Sequence, residues 1–303
     1  MRNPTKVFVQ APAKVNLSLK VGALKPDGFH PVETVYQAVN LYDDVIASAA
    51  DSLSLTVEGE GAEAAGSGPS NLAWRAAVLL AESAGIEPDV HLHLRKRIPV
   101  AGGMAGGSAD AAGALIACDA LWNLGTPREE LLALAAQLGS DIPFSVVGGT
   151  AIGRGRGDEI TALIARGDFH WVFALNEDGL STPAVYREFD SEPEQTEHPE
   201  VDQELLAAIA AGDVKAASVL FTNDLQASAI RLKPQLGIVL QIGEDLGAQA
   251  SLVSGSGPTC AFLAKSEDHA IDLAIELQAS GFVQRTVRAS GPVKGAHIVS
   301  VEY

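Results

Sequence analysis

The chain has 303 residues, enough for about two domains around a shared core. Hydrophobic residues make up 47% and aromatic ones only 5%, so the core rests on Ala, Leu, Val and Ile. A formal net charge of −17 argues against nucleic acid or an anionic membrane as partner, because a phosphate surface demands a basic face. Small anionic nucleotides stay open, since backbone N–H groups and a few lysines can hold them locally.

The first part of the chain reads mostly as strands. Residues 15–21 alternate as a strand with one buried face, and 32–40 and 53–57 alternate too. Lys25-Pro26-Asp27-Gly28 between the first two is a turn. Residues 60–69 form a loop of small side chains, and a helix runs from Ser70 or Asn71 to Gly85. Residues 90–94 alternate again, lead into a glycine-rich loop, and precede a helix expected from Ser108 to about Leu124. Thr126-Pro127-Arg128-Glu129 offers a Thr cap, a Pro at the first helical position and an acid three residues after the cap. That helix closes at Gly139.

Strands return between 148 and 174, with Arg154-Gly155-Arg156-Gly157-Asp158 as a hairpin tip. The acidic, proline-bearing stretch 187–204, including Ser191-Glu192-Pro193-Glu194-Gln195, reads as an exposed connection. Helices near 201–211, 213–230 and 234–246, strands near 250–254 and 258–264, a helix at 267–280 and two final strands follow. The order is α+β, with residues 1–160 and 161–303 expected as two domains. Cys118 and Cys260 lie in apolar runs outside any metal-ligand spacing and read as inert core thiols. No leader-like start and no apolar run of membrane-spanning length is evident, so a cytoplasmic location is expected.

Pro99-Val100-Ala101-Gly102-Gly103-Met104-Ala105-Gly106-Gly107-Ser108-Ala109-Asp110 is the most informative stretch. Its glycines let the backbone approach an anion, and successive N–H groups with a helix N-terminus form an anion site. Ser108 is placed to cap the helix and to touch phosphate or a metal, and Asp110 suits the first-turn dipole. A glycine-rich turn without ligand is the plain alternative. The loop is not a Walker A motif, lacking Gly-Lys-Ser/Thr, nor a Rossmann fingerprint, which needs an acid about twenty positions on.

Two more stretches accompany it: Pro12-Ala13-Lys14-Val15-Asn16-Leu17, and the glycine turn Leu252-Val253-Ser254-Gly255-Ser256-Gly257-Pro258-Thr259. These three spaced motifs resemble the GHMP kinase superfamily. The resemblance implies a two-domain GHMP kinase fold, with an N-terminal domain like ribosomal protein S5 and a C-terminal ferredoxin-like sandwich. It also implies phosphoryl transfer from ATP to an alcohol. Mg²⁺, reluctant to dehydrate, is expected to enter mainly through ATP phosphates and water, with no protein metal ligand assigned. Ala11-Pro12-Ala13-Lys14, Asp27-Gly28-Phe29-His30, Lys96-Arg97-Ile98-Pro99, Leu138-Gly139-Ser140-Asp141-Ile142-Pro143-Phe144 and Ser254-Gly255-Ser256-Gly257 carry a narrower resemblance. They resemble the branch that phosphorylates the 2-hydroxyl of a cytidine-diphosphate-linked methylerythritol in non-mevalonate isoprenoid synthesis.

By that resemblance Asp141 takes the hydroxyl proton and Lys14 screens the developing charge. Read from the residues alone, a helix-capping Asp and a surface Lys are the favoured readings. ATP is assigned Lys96 with Pro99, Val100, Ala101, Gly102, Gly103, Met104, Ala105, Gly106, Gly107, Ser108 and Ala109; Lys96 also fits a solvated strand end. The substrate, a small molecule carrying a cytidine diphosphate group, is assigned Asn16, Phe29, His30, Tyr186, Gly255, Ser256 and Gly257. Phe29 stands where the branch commonly has Tyr, which keeps stacking and loses a hydroxyl. Ser108-Ala109 replaces the usual Ser-Ser pair, and Met104 a common Leu. His91 and His93 share a strand face, read as a solvent-facing polar edge, and Asp43-Asp44 reads as a polar strand end. Monomer and homodimer are both open. The alternatives are another small-alcohol kinase of the superfamily and a non-catalytic nucleotide-binding protein on the same fold.

Overall fold

The computed structural model describes residues 3–100, 102–176, 178–192 and 195–303. Strands β1 (Lys6–Val21), β2 (Val32–Ala49) and β3 (Ser54–Gly59) are followed by α1 (Ala62–Ala65), α2 (Leu72–Ala84) and β4 (Val90–Lys96). Helices α3 (Gly106–Leu121), α4 (Arg128–Leu138) and α5 (Ile142–Val147) lead to β5 (Thr150–Arg154), β6 (Glu159–Leu163) and β7 (Phe169–Leu175). Next come α6 (Thr182–Phe189), α7 (Gln203–Ala211), α8 (Val214–Ser218), β8 (Thr222–Asn223), α9 (Gln226–Leu232) and α10 (Gln235–Asp245). Strands β9 (Ala250–Val253) and β10 (Cys260–Ala264), helix α11 (Glu267–Ala279), and strands β11 (Arg285–Gly291) and β12 (His297–Glu302) follow.

Two sheets organise these elements, as the α+β expectation requires. The larger runs β12-β1-β2-β4-β3, with β5 paired to β2, β6 to β5 and β8 to β1; the smaller runs β11-β7-β10-β9. Apolar odd residues of β1, from Ala11 to Leu17, join Trp171, Phe173 and Leu263 of the small sheet in one core. The small sheet's other face packs Val172 and Phe262 against Leu236, Leu240, Leu273 and Leu277. Burial of such side chains contributes roughly 1.5–3 kcal/mol each. In α3 every residue from Ala109 to Leu115 is buried, on all sides of the helix. Its Gly and Ala side chains make that possible: a Cβ at Gly113 would lie 2.5 Å from Val45 Cγ2. This close approach explains how a chain poor in aromatics fills its interior.

Several expectations are corrected. Polar even residues in the middle of β1 are buried too: Lys14, Asn16 and Ser18 are each 5% exposed or less. α3 begins at Gly106, ahead of Ser108, and its cap is Ala105 at φ 59° with no side-chain hydrogen bond. Ser108 is therefore no cap, and Asp110 serves a buried ion pair with Lys96 instead of the helix dipole. The cap position of α4 falls one residue later than expected, at Pro127, with no side-chain cap hydrogen bond, and the N–H of Thr126 donates to Asp119 Oδ1 at 2.9 Å. The expected helix 213–230 is broken where Thr222 and Asn223 pair in parallel with Ser18 and Leu19. The small-residue loop at 60–69 holds the single-turn α1. Asp43 is fully buried, not a polar strand end.

Candidate active site

Lys14 lies in the long strand β1, where strand spacing sends its side chain to the same side as Asn16. Its ammonium donates to Asn16 Oδ1 at 2.7 Å, and Asn16 Nδ2 donates to Thr34 Oγ1 at 2.8 Å. Asp141 sits at the start of α5, after the extended Gly139, with its carboxylate 3.7 Å from Lys14 Nζ. It makes no side-chain cap to its own helix, so the carboxylate is turned toward Lys14. Tyr36 completes the group. Its hydroxyl donates to Asp141 Oδ1 at 3.0 Å, while its ring stacks on Phe144 at 4.7 Å. Burial first, then the neighbouring Asp141 charge, raises the Tyr36 phenol well above its ordinary range, which keeps it a donor.

The two glycine segments meet beside this pair. Lys14 N–H donates to Met104 O at 3.2 Å, and Ser254 Oγ donates to Gly103 O at 3.1 Å. Gly103 has φ 71°, and a Cβ there would lie 2.1 Å from Ser254 O, so only glycine permits the contact. The second turn is held from below by Asn223, whose Nδ2 donates to Val253 O at 2.8 Å and Gly255 O at 2.7 Å. Ser256 Oγ is 2.8 Å from Thr182 Oγ1.

These residues wall a cavity of about 330 Å³, with Lys14, Asn16, Tyr36 and Asp141 facing the backbone of the glycine loop. Pro99, Val100, Gly102, Gly103, Ala105, Gly106 and Gly107 line it, as do Gly255 and Ser256. Ala101 lies outside the described residues. Met104 and Ala109 are buried in the core, and neither lines the cavity. Neither Ser108 nor Gly257 lines the wall; Gly257 closes the turn with its N–H on Ser254 O at 2.9 Å. Lys96 is also absent from the wall. Its side chain is 1% exposed and held by Asp43 and Asp110 behind the loop.

A second cavity of about 710 Å³ adjoins the first, sharing Val32, Ser140, Arg156, Thr182 and Tyr186. Phe29 and His30 line it. His30 Nδ1 is 2.8 Å from Gly22 O and Nε2 is 3.3 Å from Asp190 Oδ1, while the ring lies 5.0 Å from that of Tyr186. Burial, then Asp141, pushes the Tyr186 phenol up to about 12. Phe29 is 49% exposed, and the Arg156 guanidinium sits 4.8 Å from its ring centroid. The structure thus brings Lys14, Asn16, Asp141, the glycine loop, Gly255 and Ser256 to one cavity, and Phe29, His30 and Tyr186 to its neighbour.

Tyr36, Arg156, Thr182 and Asn223 escaped the sequence reading. Tyr36 sits in an alternating strand, where a core role is the default. Arg156 carried a usable signal, an arginine between two glycines at a hairpin tip. His91 and His93 contact Ser54, Thr56 and Glu58 along the sheet edge. Among the described residues, no group of three or more His, Cys, Asp or Glu could hold a metal ion, and no helix is long and apolar enough to cross a membrane. Both thiols are buried, which lifts the Cys260 thiol to about 12 and Cys118 higher still.

Comparison with known proteins agrees with this geometry. Residues 71–149 match the GHMP kinases N terminal domain, and 205–282 match GHMP kinases C terminal. The 4-diphosphocytidyl-2-C-methyl-D-erythritol kinase of Thermobifida fusca is 52% identical, covering 99% of this chain and all of that one. The protein of the same name from Streptomyces coelicolor is 55% identical over 97% of this chain and 99% of its own. A crystal structure of 4-(cytidine 5'-diphospho)-2C-methyl-D-erythritol kinase superposes with a TM-score of 0.77 at 34% identity, covering 93% and 98% of the two chains. Homoserine kinase from Cytophaga hutchinsonii shares the fold, with a TM-score of 0.74 at 17% identity over 97% and 98% of the chains. The chain belongs to the 4-diphosphocytidyl-2-C-methyl-D-erythritol kinase family of the ATP-dependent GHMP kinases, with their two-domain α+β fold.

Proposed function

We propose that this chain transfers the γ-phosphoryl group of ATP to the 2-hydroxyl of 4-diphosphocytidyl-2-C-methyl-D-erythritol. One observation carries the reading: the Lys14–Asp141 pair lines a cavity walled by a glycine loop, and a second cavity lined by Phe29, His30 and Tyr186 adjoins it through Ser140, Arg156 and Tyr186. A substrate with a base at one end and a hydroxyl at the other needs that layout.

In this reading the N–H groups of residues 102–107 and the start of α3 cradle the ATP phosphates. The substrate hydroxyl lies between the γ-phosphorus and Asp141. As its oxygen bonds to phosphorus, the bond to the bridging oxygen breaks, ADP departs and Asp141 accepts the proton. Lys14 offsets the charge on the transferring group, and Asn16 and Tyr36 fix the positions of Lys14 and Asp141. Phe29 and Tyr186 supply faces for the cytosine and His30 a polar edge, with Arg156 reaching both cavities. A Mg²⁺ held by ATP phosphate oxygens and water belongs to this reading, because the ion dehydrates reluctantly. That ion would neutralise phosphate charge.

The Asp-Gly-Phe-His turn and the aromatic cavity favour a base-carrying substrate over another small alcohol. ADP release with Mg²⁺-ATP and either the cytidine compound, mevalonate or homoserine tests this. Turnover with mevalonate or homoserine alone overturns the substrate assignment, and silence with all three overturns the kinase reading. The two-domain division near residue 160 remains our proposal, supported by the change of sheet between β6 and β7. A cytoplasmic location is proposed with it; fractionation tests it.

A further inference from the structure

Behind the glycine loop lies a charge cluster that the proposed chemistry does not use. Lys96, the last residue of β4, is 3% exposed, Asp110 in α3 is 3% exposed and Asp43 in β2 is fully buried. Lys96 Nζ donates to Asp43 Oδ2, to Asp110 Oδ2 at 2.6 Å and to Gly106 O at 3.3 Å. Asp43 Oδ1 accepts the backbone N–H of Arg97 at 2.5 Å and of Ile98 at 2.9 Å. Arg97 and Ile98 enter the glycine loop, whereas Gly106 and Asp110 leave it as the first turns of α3. One buried ammonium thus joins both ends of the loop, with all three of its hydrogens engaged by protein.

We propose that Lys96 is a positioning residue: clamped between Asp43 and Asp110, it fixes the span of the glycine loop, and the loop's grip on ATP depends on this clamp instead of on contact between Lys96 and the nucleotide. The proposal rests on the ATP reading above. An ammonium withdrawn to a phosphate would abandon two buried carboxylates, and a buried ion pair broken on one side is strongly destabilising. The cluster already carries more acid than base. Asp110 Oδ1 has no hydrogen-bond partner, and burial lifts that carboxyl to about 7 against the pull of Lys96. Gly106 fits the same geometry, since a Cβ there would stand 3.4 Å from Lys96 Nζ and 3.1 Å from Ile98 Cγ2.

The test is steady-state kinetics of Asp43→Ala, Asp43→Asn and Asp110→Asn, with amide hydrogen exchange across residues 97–107 in the absence of ATP. The clamp requires Asp43→Ala to raise KM for ATP about tenfold or more and to speed exchange in the loop. It also requires KM for the cytidine substrate to stay within about twofold, and Asp43→Asn to recover part of the loss, because its Oδ1 still accepts both amides. Asp110→Asn retains an acceptor for Lys96 and should leave KM for ATP within about twofold. If Lys96 were a phosphate ligand, freeing it from one carboxylate would tighten ATP several-fold. That result, or a folded Asp43→Ala with normal KM and normal exchange, overturns the clamp. Should Asp43→Ala not fold, Asp110→Ala decides: it must raise KM for ATP about fivefold above Asp110→Asn, and equality refutes the proposal. A wild-type protein without turnover would sink the kinase reading, while the exchange comparison would still judge the clamp.

Discussion

Replacing Gly103 with Ala tests how tightly the two glycine segments are joined. Two costs apply. At φ 71° an L residue is disfavoured, by roughly 1–2 kcal/mol. The new methyl would also lie 2.1 Å from Ser254 O, a backbone atom in a turn that Asn223 anchors and that has no flexible end to swing aside. Forcing such an overpacked site apart costs roughly 1–3 kcal/mol. Together these give about 2–5 kcal/mol, a large share of the roughly 5–15 kcal/mol that holds a domain folded. Gly85→Ala supplies the control. Gly85 has φ 67° but nothing within 4 Å of the added methyl, so only the conformational cost applies. Urea unfolding should show Gly103→Ala less stable than Gly85→Ala by about 1–3 kcal/mol. KM for ATP should rise only in Gly103→Ala. Equal losses in the two variants would refute contact between the loop and the turn.

Other perturbations probe the site itself. Asp141→Asn keeps the shape of the group and removes the proton acceptor. Turnover should fall by about 10²-fold or more with KM for ATP little changed, and near-wild-type turnover would remove Asp141 from the chemistry. Phe29→Ala should weaken the cytidine substrate by about 1–3 kcal/mol, the scale of base–aromatic stacking, and an unchanged KM would place the base elsewhere. Asp110, raised from 3.8 to about 7, gives a pH signature. The folded protein holds its proton where the unfolded chain has lost it, so this group costs stability as pH climbs from about 4 to about 7. Asp110→Asn should therefore gain relative to wild type across that window in urea midpoints, and a constant difference would contradict the buried protonated carboxyl.

Much of this arrangement was legible in the chain. Alternation gave the strands, Asn71 and Gly85 bounded α2, and the glycine segments with Lys14 and Asp141 marked the place where they would meet. What local pattern could not reveal was burial that depends on distant partners. Asp43 resembles any acid at a strand end until Lys96, 53 positions later, folds against it. Ser108 has the side chain of a cap, yet the left-handed turn at Ala105 starts the helix early, at Gly106. The helical pattern of 213–230 yields at Thr222 and Asn223 because pairing with β1 and fastening the second glycine turn are tertiary gains. Tyr36 escaped for the same reason, since its hydroxyl acquires meaning only when Asp141 arrives, 105 residues away.

The return of β12 to β1 bears on how the protein is made. Lys6–Gln10 of β1 pairs with residues 297–302 of β12. At about 5–20 residues per second, a ribosome that has finished β1 needs roughly 15–55 s more to reach His297. Throughout that interval the outer edge of the first strand presents unpaired N–H and C=O groups, a template for foreign strands. Lys6, Phe8 and Gln10 lie along it, and a single charge is modest protection. The nascent chain thus carries an open edge on the strand that holds Lys14 until its last strand seals the sheet.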